Sequence, residues 1–219
     1  MNGRLHTMSR YRYKKIYAWD SSLAYCVGLI ASDGSLSKSG RHIDFTTIDY
    51  ELAETYRSCL GSRAKIGTKK NSAGITSYRV QIGDTSLYDF LASLNMTPNK
   101  SQTISELKVP DDYYADFLRG VFDGDGTSYS YMDVRWKNSY MYYACFTSAS
   151  KDFLLWLQCN NYALSGCSKG SITDKSLASK ACRLSYAKRD TKLLYKFMYY
   201  QNDLPHLKRK KQKLDSYFT

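Results

Sequence analysis

The sequence predicts an α+β protein built from two similar halves, each with the element order helix, two strands, helix, two strands, helix. Two observations predict this fold. The order of hydrophobic segments in the first half recurs in the second, and apolar residues alternate at strand spacing between the helical segments. With 219 residues, 43% of them hydrophobic, the chain can bury a sizeable core, as one large domain or as two fused units.

The first helix of each half ends in a matching motif. Gly28-Leu-Ile-Ala-Ser-Asp33-Gly34 recurs 92 residues later as Gly120-Val-Phe-Asp-Gly-Asp125-Gly126. Glycine commonly ends a helix in the left-handed conformation, so we expect each helix to stop at the glycine that follows the acid. Asp33 and Asp125 are therefore each predicted at a helix C-terminus.

Three further pairs of segments match in the same order. They are Ile43–Asp49 with Ala144–Ser150, Arg79–Gln81 with Arg183–Ser185, and Leu87–Leu91 with Leu194–Met198. The offset between the halves grows from 92 through 101 and 104 to 107, which predicts insertions in the second half.

The matched strands have one apolar and one polar face. Ile43 and Phe45 alternate with Asp44 and Thr46, and the later strands repeat this pattern. Helix residues at i, i+4, i+7 and i+8 are apolar in the segment Leu52–Leu60, so this helix is expected to cover the dry face. The other, polar face of each sheet is predicted to be exposed to solvent, and we call it the wet face.

Prolines mark the join between the halves. Pro98 and Pro110 flank a polar stretch, and Asp111 is placed to cap the next helix. We predict a basic N-terminal arm over residues 1–18, a first unit over 19–108, a second unit over 109–205 and a basic C-terminal tail over 206–219. Taken alone, the arm and the tail are interpreted as solvated surface.

The charge balance points to a polyanionic partner. Lys and Arg number 32 against 20 Asp and Glu, a net charge of +12, and such a surplus favours nucleic acid through counterion release. The 21 tyrosines suit contacts with sugars, phosphates and bases. The alternative is a basic surface that only keeps the protein soluble.

Several other classes of protein are disfavoured. The six cysteines form no CxxC pair and are interpreted as reduced thiols. No apolar run approaches the ~20 residues that span a bilayer and no signal peptide is evident, so we expect a soluble intracellular protein. A calcium loop starting at Asp123 is rejected because Ser128 and Val134 replace its glycine and glutamate.

The two motifs together predict a metal site. A carboxylate at a helix C-terminus adds to the negative end of the helix dipole, at a cost of ~0.3–1 kcal/mol that a cation would offset. Small residues four apart, Gly28 and Ser32 in one helix and Gly120 and Gly124 in the other, allow the helices to approach closely. We call the close contact between these two helices the seam. Carboxylates and free backbone carbonyl groups at the end of this seam suit Mg²⁺. The alternative is a pair of ordinary core helices with glycine caps.

These residues resemble the LAGLIDADG homing endonucleases in their monomeric, two-motif arrangement. The resemblance rests on the paired motifs, the Phe-Thr-Thr and Phe-Thr-Ser strands, Thr97-Pro-Asn-Lys100 and the segment Lys108–Gly126, and it extends from about Trp19 to Lys213. It implies two pseudo-symmetric αββαββα units whose antiparallel sheets form a saddle in the DNA major groove around a central pair of LAGLIDADG helices. It also implies metal-dependent double-strand cuts in a long, nearly palindromic DNA target.

The resemblance assigns roles to residues at matching positions. Asp33 and Asp125 would bind Mg²⁺ or Mn²⁺, with Ser32 and Gly124 beside them, and Lys188 is the best match for a basic residue that assists catalysis. Arg119 replaces a residue that is usually small, and we expect it to face outward. The wet-face residues chosen as DNA contacts are Arg41, Asp44, Thr46, Lys69, Arg79, Gln81, Tyr131, Arg135, Lys137, Thr147 and Arg183.

A second function of a different class stays open. The same fold could serve a binder that does not cut, either a transcription regulator or a maturase that binds intron RNA. Loss of the acids would favour this alternative, and both Asp33 and Asp125 are present, although a maturase can keep them. We therefore predict an endonuclease that acts on double-stranded DNA as a monomer.

Overall fold

The structure is a computed structural model that describes residues 15–135, 139–174 and 181–218. Residues 1–14 of the predicted basic arm lie outside the described residues. So does Lys137, one of the predicted DNA contacts.

The first unit contains three helices and one antiparallel sheet. Its elements are α1 (Ser21–Asp33), β1 (Gly34–Leu36), β2 (His42–Thr47), α2 (Tyr50–Cys59), β3 (Ile66–Lys70), β4 (Thr76–Gly83) and α3 (Thr85–Ser93). The strand order is β1-β2-β4-β3. A 3-10 turn over Lys100–Gln102 follows.

The second unit repeats this arrangement and ends with one extra helix. Its elements are α4 (Asp111–Asp125), β5 (Gly126–Met132), β6 (Tyr140–Ser148), α5 (Lys151–Ser165), β7 (Ser171–Asp174), β8 (Cys182–Ala187), α6 (Lys188–Met198) and α7 (Lys208–Asp215). The strand order, β5-β6-β8-β7, matches that of the first sheet. The predicted α+β fold of two αββαββα units is confirmed.

The core lies between each sheet and its helices. In the first unit Ile43 and Phe45 are fully buried beside Val80, whereas Thr46 and Arg79 are exposed on the opposite face. This is the predicted alternation. Apolar burial at roughly 25 cal/mol per Å² is what fixes which face of each sheet the helices cover.

The register of the strands locates one insertion. Gly34 pairs with Phe45 across β1 and β2, and Gly126 pairs with Phe146 across β5 and β6, so the glycine of each motif lies opposite the matching phenylalanine. The strand after the motif has three residues in the first unit and seven in the second. The insertion predicted by the first increase in offset therefore lengthens the β5–β6 hairpin.

The C-terminal segment packs into the protein and is not the solvated tail that its charge suggested. Leu207 and Leu214 are 1% and 0% exposed. On the charged side of α7, Arg209 donates to Asp49 of the first unit at 2.8 and 2.7 Å. The helix is thus amphipathic and joins the two units, because its leucines anchor one side while its cations reach acidic partners.

Arg119 is buried, so the expectation that it faces outward is wrong. Its guanidinium donates to the carbonyl oxygens of Met198 and Pro205 at 2.7 and 2.8 Å and to Asp116 at 2.5 Å. The side chain is 0% exposed. The physical reason is that the end of α6 and the turn after it present carbonyl acceptors, and the fork of guanidinium donors satisfies them together with a carboxylate.

The start of α4 also differs from expectation. Pro110 occupies the N-cap position, without a side-chain hydrogen bond, and Asp111 is the first residue of the helix. Asp111 and Asp112 lie in the first turn, where their negative charges complement the helix dipole. Among the described residues, no helix combines the length and the hydrophobicity that a membrane crossing requires.

Candidate active site at the paired helix ends

The first helices of the two units, α1 and α4, touch through their backbones. A Cβ atom added to Gly28 would overlap the carbonyl oxygen of Phe117 and lie 2.8 Å from the amide nitrogen of Val121. A Cβ added to Gly120 would overlap the carbonyl oxygen of Tyr25. Only glycine fits at these two crossing points, so the sequence itself sets how closely the helices approach.

The seam continues to the ends of both helices. A Cβ at Gly124 would collide with the side chain of Ser32 and lie 3.3 Å from an oxygen of the Asp33 carboxylate. The structure therefore places all four predicted seam residues at one helix contact. It also carries Asp33 to the contact between the C-terminal ends of α1 and α4.

We expect Gly28→Ala to destabilise the protein by about 1–3 kcal/mol or more, because the new methyl group meets backbone atoms that cannot rotate away. Urea denaturation would measure the loss as a lower midpoint. Gly67→Ala is the matched control, since a Cβ there meets only the carbonyl oxygen of Arg79 at 3.8 Å, an ordinary contact. Equal midpoints for the two variants would contradict the tight seam.

The glycines after the two acids are not in the predicted left-handed conformation. Gly34 has φ −86° and ψ 161°, and Gly126 has φ −77° and ψ 153°, so both backbones are extended and begin strands. A side chain is excluded for steric reasons instead. A Cβ on Gly34 would lie 2.6 Å from the Cα of Ile30, and one on Gly126 would lie 2.7 Å from the Cα of Phe122.

Asp33 and Asp125 are the last residues of the two helices, and both are exposed to solvent. The surrounding protein nevertheless excludes much of the bulk water from Asp33. Burial and, after it, the charge of Asp125 raise the pKa of Asp33 to about 6, although Lys210 and Lys100 partly offset the rise. The two carboxylates thus share one electrostatic environment, in which a cation would relieve their repulsion.

Two lysines, the buried Lys100 and the half-buried Lys210, lie beside the carboxylates in matching positions. Lys100, 3% exposed, follows the first unit and donates to the carbonyl oxygens of Gly34 at 2.8 Å and Ser32 at 3.4 Å. Lys210 follows the second unit and donates to those of Phe122, Gly124 and Gly126 at 2.9, 2.7 and 2.7 Å. Each ammonium group therefore caps the C-terminus of its own unit's first helix.

These contacts correct the expectation of free carbonyls at the helix ends. The last carbonyls of a helix need donors, and here the lysines supply them. Burial lowers the pKa of both Lys100 and Lys210 to about 8, an effect that Asp33 and Asp125 oppose. The site consequently contains two acids and two ammonium groups within one small volume.

Sequence reasoning missed this lysine pair for a specific reason. Lys100 lies two residues after Pro98, whereas Lys210 lies five residues after Pro205, so the two segments do not align. Lys210 also lies within a run of basic residues, a pattern that is typical of a solvent-exposed surface. A signal was available, since each lysine follows a proline just beyond the last helix of its αββαββα unit.

Lys188, predicted as the basic catalytic residue, is the first residue of α6. Its ammonium group lies 5.8 Å from the centre of the Tyr142 ring. Tyr142 is buried and stacks on Tyr217, so this contact is on the helix-covered side of the second sheet. The catalytic role of Lys188 stays a prediction, and the lysines beside the carboxylates are Lys100 and Lys210.

A buried carboxylate links α1, α4 and α7. Asp123 accepts a hydrogen bond from the hydroxyl of Tyr25 and another from the backbone amide of Leu207, each at 2.7 Å. Burial raises the pKa of Asp123 to about 6. Because Leu207 is the N-cap of α7, Asp123 holds the start of the helix that carries Lys210.

The donor set suits a hard divalent cation that keeps part of its water shell. Among the described residues no group of three or more His, Cys, Asp or Glu side chains is arranged to hold a metal. The candidate ligands are therefore the carboxylates of Asp33 and Asp125, with the carbonyl oxygens of Ser32 and Gly124 nearby. Mg²⁺ commonly binds through one or two carboxylates and completes its shell with water and substrate phosphates, so the residues present fit it.

The wet face of the first sheet carries most of the DNA contacts predicted for that unit. Thr46, Lys69, Arg79 and Gln81 are exposed there. Asp44 lies among them and accepts hydrogen bonds from Arg79 at 2.8 Å and from Gln81 at 3.4 Å. Arg41, also exposed, precedes β2.

In the second unit the predicted contacts are more scattered. Tyr131 is 43% exposed. Arg135 is exposed and binds both carboxylate oxygens of Asp133, at 3.0 and 2.8 Å. Thr147 and Arg183 lie directly opposite each other in β6 and β8, both half-buried.

Comparison with known proteins agrees with this architecture. Residues 20–95 match a family model described as a LAGLIDADG-like domain, which covers most of the first unit. No curated protein sequence matches the chain.

Solved structures are similar over most of the chain. Full-length DUF199/WhiA from Thermotoga maritima has a TM-score of 0.58 and 12% identity over 91% of this chain. The I-LtrWI LAGLIDADG homing endonuclease bound to target DNA has a TM-score of 0.56 and 11% identity, covering 90% of this chain and 88% of that one. I-DmoI in complex with DNA and Mn has a TM-score of 0.53 and 15% identity, covering 83% and 98%.

These likenesses show the fold. The chain spans 61% of the length of full-length WhiA, so that protein has a further portion without a counterpart here. The predicted resemblance and fold are thereby confirmed by structures that include both WhiA and homing endonucleases.

Proposed function

We propose that this chain, a two-unit LAGLIDADG protein, is a site-specific endonuclease that cuts both strands of DNA and requires a divalent cation. The observation that carries the proposal is that Asp33 and Asp125 lie near each other at the ends of α1 and α4, exposed to solvent and next to Lys100 and Lys210. Two neighbouring acids without a bound cation would repel the DNA phosphates, so their pairing favours a site that takes up a cation.

The cation would be Mg²⁺ or Mn²⁺, held by Asp33 and Asp125 with the carbonyls of Ser32 and Gly124 beside it. When bound, it supplies Lewis acidity toward the scissile phosphate and lowers the pKa of an attacking water. Each unit supplies one of the two carboxylates, so each DNA strand would face one acid of the pair. Lys100 and Lys210 place positive charge beside Asp33, where it would also attract a phosphate.

The two sheets would each contact one half of a long target in the major groove. In the first unit Arg79 and Gln81 are suited to guanine and adenine edges, while Lys69 is suited to phosphate. The remaining proposed contacts are Arg41, Asp44, Thr46, Tyr131, Arg135, Thr147 and Arg183. One chain supplies both acids, so we propose that it acts as a monomer.

A second function is favoured by one observation, the likeness to WhiA. The same fold could bind nucleic acid without cutting it, as a transcription regulator or as an intron RNA maturase. The retention of Asp33 and Asp125 at the helix contact supports the endonuclease over this alternative.

The experiment is a cleavage assay on two kinds of DNA. The first is a duplex in which the two segments that flank the reading frame are joined directly, with the reading frame removed. The second is a library of random duplexes. We expect double-strand breaks in Mg²⁺ or Mn²⁺ and none in EDTA, read by gel and by sequencing of the ends. Binding without breaks in either cation would support the regulator. Tighter binding to the flanking intron RNA than to DNA, again without breaks, would support the maturase.

We expect Lys210→Met to slow cleavage about 10- to 100-fold, the usual effect of removing a group that supports a metal site. The variant removes three hydrogen bonds to the end of α4 and a positive charge near both acids. Single-turnover cleavage would measure it. Lys211→Met is the control, because Lys211 is the neighbouring residue of α7 and pairs with Asp215 at 3.0 Å. A larger loss for Lys188→Met than for Lys210→Met would instead favour Lys188 as the catalytic base.

A further inference from the structure

The wet faces of the two sheets differ in chemistry. Since Phe45 and Phe146 occupy matching positions, the residue before each also matches, so Cys145 stands where the first unit has Asp44. Arg79 binds Asp44, whereas the matching Arg183 faces no such acid and its Nε is buried without a hydrogen-bond partner among the described residues. Cys145 instead contacts Ser185, Sγ to Oγ at 3.4 Å, so among the described residues the second sheet has no acid–arginine pair at the position of Asp44 and Arg79.

In place of that pair, the second sheet has a column of stacked tyrosines. Tyr129 and Tyr143 stack with ring centres 5.1 Å apart and planes 13° apart, and Tyr131 and Tyr143 with centres 6.1 Å apart and planes 4° apart. We call Tyr129, Tyr143 and Tyr131 the tyrosine column. Tyr143 lies between the buried Tyr142 and Ala144, so the column projects from the wet face.

The tyrosine column lies on the lengthened β5–β6 hairpin. Tyr129 pairs directly with Tyr143, and Tyr131 lies opposite Met141 toward the hairpin tip. Tyr129 and Tyr131 are 37% and 43% exposed. The insertion that distinguishes the second unit thus places an apolar, solvent-open surface where the first unit has only the three-residue strand β1.

The geometry of the rings restricts what they can bind. Tyr143 stacks on both of the other rings, whereas Tyr129 and Tyr131 each have one stacked face and one outer face. A base could stack only on the outer face of an end ring, so the column offers little of the ring surface that unstacked bases use, and most of what it presents is ring edge. Ring edges can pack against a methyl group, and in the major groove of DNA the C5-methyl of thymine is the apolar group that a base pair presents.

We propose that the tyrosine column contacts thymine methyl groups in the half-site bound by the second unit. The target would then be asymmetric in chemistry, with polar contacts to purines from Arg79 and Gln81 in one half and apolar contacts to thymine in the other. This inference rests on the proposed function only in requiring that the chain binds duplex DNA through its sheets. It does not require cleavage.

The test begins with selection of duplexes from a random library by the wild-type protein in EDTA, where no cutting occurs. The half-site of the first unit is identified as the one whose base preference Arg79→Ala relaxes. Deoxyuridine, which lacks only the methyl group, then replaces thymine in one half-site at a time. Fluorescence anisotropy measures the affinity for each duplex.

We expect deoxyuridine in the second half-site to weaken binding up to about fourfold for each methyl group that is fully buried, the factor that corresponds to one buried carbon. In the first half-site the same replacement should leave affinity nearly unchanged. Tyr131→Ser should bind thymine and deoxyuridine duplexes equally, whereas Tyr131→Phe, which keeps the ring, should still discriminate.

Several results would overturn the inference. A selected site without thymine in the second half, or equal losses from deoxyuridine in both halves, would exclude methyl contacts even if the serine variant proved unstable. Preferential selection of single strands would show that the rings stack on bases. Failure to select any duplex would overturn the proposed DNA binding as well, whereas the other outcomes leave it intact.

Discussion

Asp33→Asn and Asp125→Asn are each expected to abolish double-strand cleavage while leaving affinity for the target almost unchanged. Each change removes one anionic ligand from the proposed cation site, and metal-ion catalysis is worth several kcal/mol of transition-state stabilisation. Each 1.36 kcal/mol is a factor of ten in rate, so the loss should be about a thousandfold or more. Single-turnover cleavage in Mg²⁺ and anisotropy in EDTA would measure the two quantities.

The control for this prediction is Asp203→Asn, which makes the same chemical change at an exposed position after α6. A variant that cuts as fast as wild type would reject the assignment of that aspartate. Loss of binding together with cutting would mean that the carboxylates support the fold and do not act in catalysis.

The stability of Asp33→Asn against urea also distinguishes a catalytic role of this carboxylate from a role in supporting the fold. The pKa of Asp33 is raised to about 6 from an ordinary 3.8 by burial and by Asp125, so ionisation disfavours the folded state. This destabilisation is absent below pH 4, grows between pH 4 and 6 and is complete above pH 6. In EDTA at pH 7 we therefore expect Asp33→Asn to unfold at a higher urea concentration than wild type, with the difference vanishing near pH 4. A less stable variant at pH 7 would contradict this account.

The fold could be predicted because its signals are local or repeated. Alternation in Ile43–Thr47 shows which side of β2 is buried, and the same order of segments in the second half predicts the second unit. The four-residue spacing of Gly28 and Ser32, and of Gly120 and Gly124, depends only on helical periodicity. For that reason the close contact between α1 and α4 could be predicted from the sequence.

The parts that could not be predicted depend on partners far away in sequence. Arg119 was expected outside because nothing near it in the chain indicates the carbonyl oxygens of Met198 and Pro205. Lys100 and Lys210 cap helices that end more than sixty residues before them. From the sequence alone, a lysine or an arginine is interpreted as a surface residue unless its hydrogen-bond acceptors are known. Here the acceptors are backbone carbonyl groups, whose positions cannot be derived from the amino-acid composition.

Arg119→Leu is expected to destabilise the protein by about 3–5 kcal/mol, the usual effect of breaking a buried ion pair from one side. The change leaves the buried Asp116 without its guanidinium and two carbonyl oxygens without donors. Urea denaturation would measure it. The matched control is Arg135→Leu, which removes a similar ion pair with Asp133 at an exposed arginine and should cost about 1 kcal/mol or less.

A double variant tests whether the uncompensated charge is the cause. In Arg119→Leu/Asp116→Asn the buried acid is neutral but still offers an oxygen to the hydroxyl of Tyr200, which donates to Asp116 at 3.0 Å in the wild type. We expect the double variant to be more stable than Arg119→Leu alone, because one neutral side chain replaces a buried anion. Equal or lower stability would place the cost in the unsatisfied carbonyls instead.

The same variant connects the buried ion pair to the active site. Arg119 fixes Pro205, Asp123 fixes Leu207, and Lys210 follows within one turn of α7, so the position of this ammonium group depends on contacts buried beneath it. At low temperature and without denaturant, where the folded state of Arg119→Leu is most populated, we expect slower cleavage with unchanged DNA affinity, as for Lys210→Met. Wild-type cleavage by folded Arg119→Leu would show that Asp123 alone is enough to position α7.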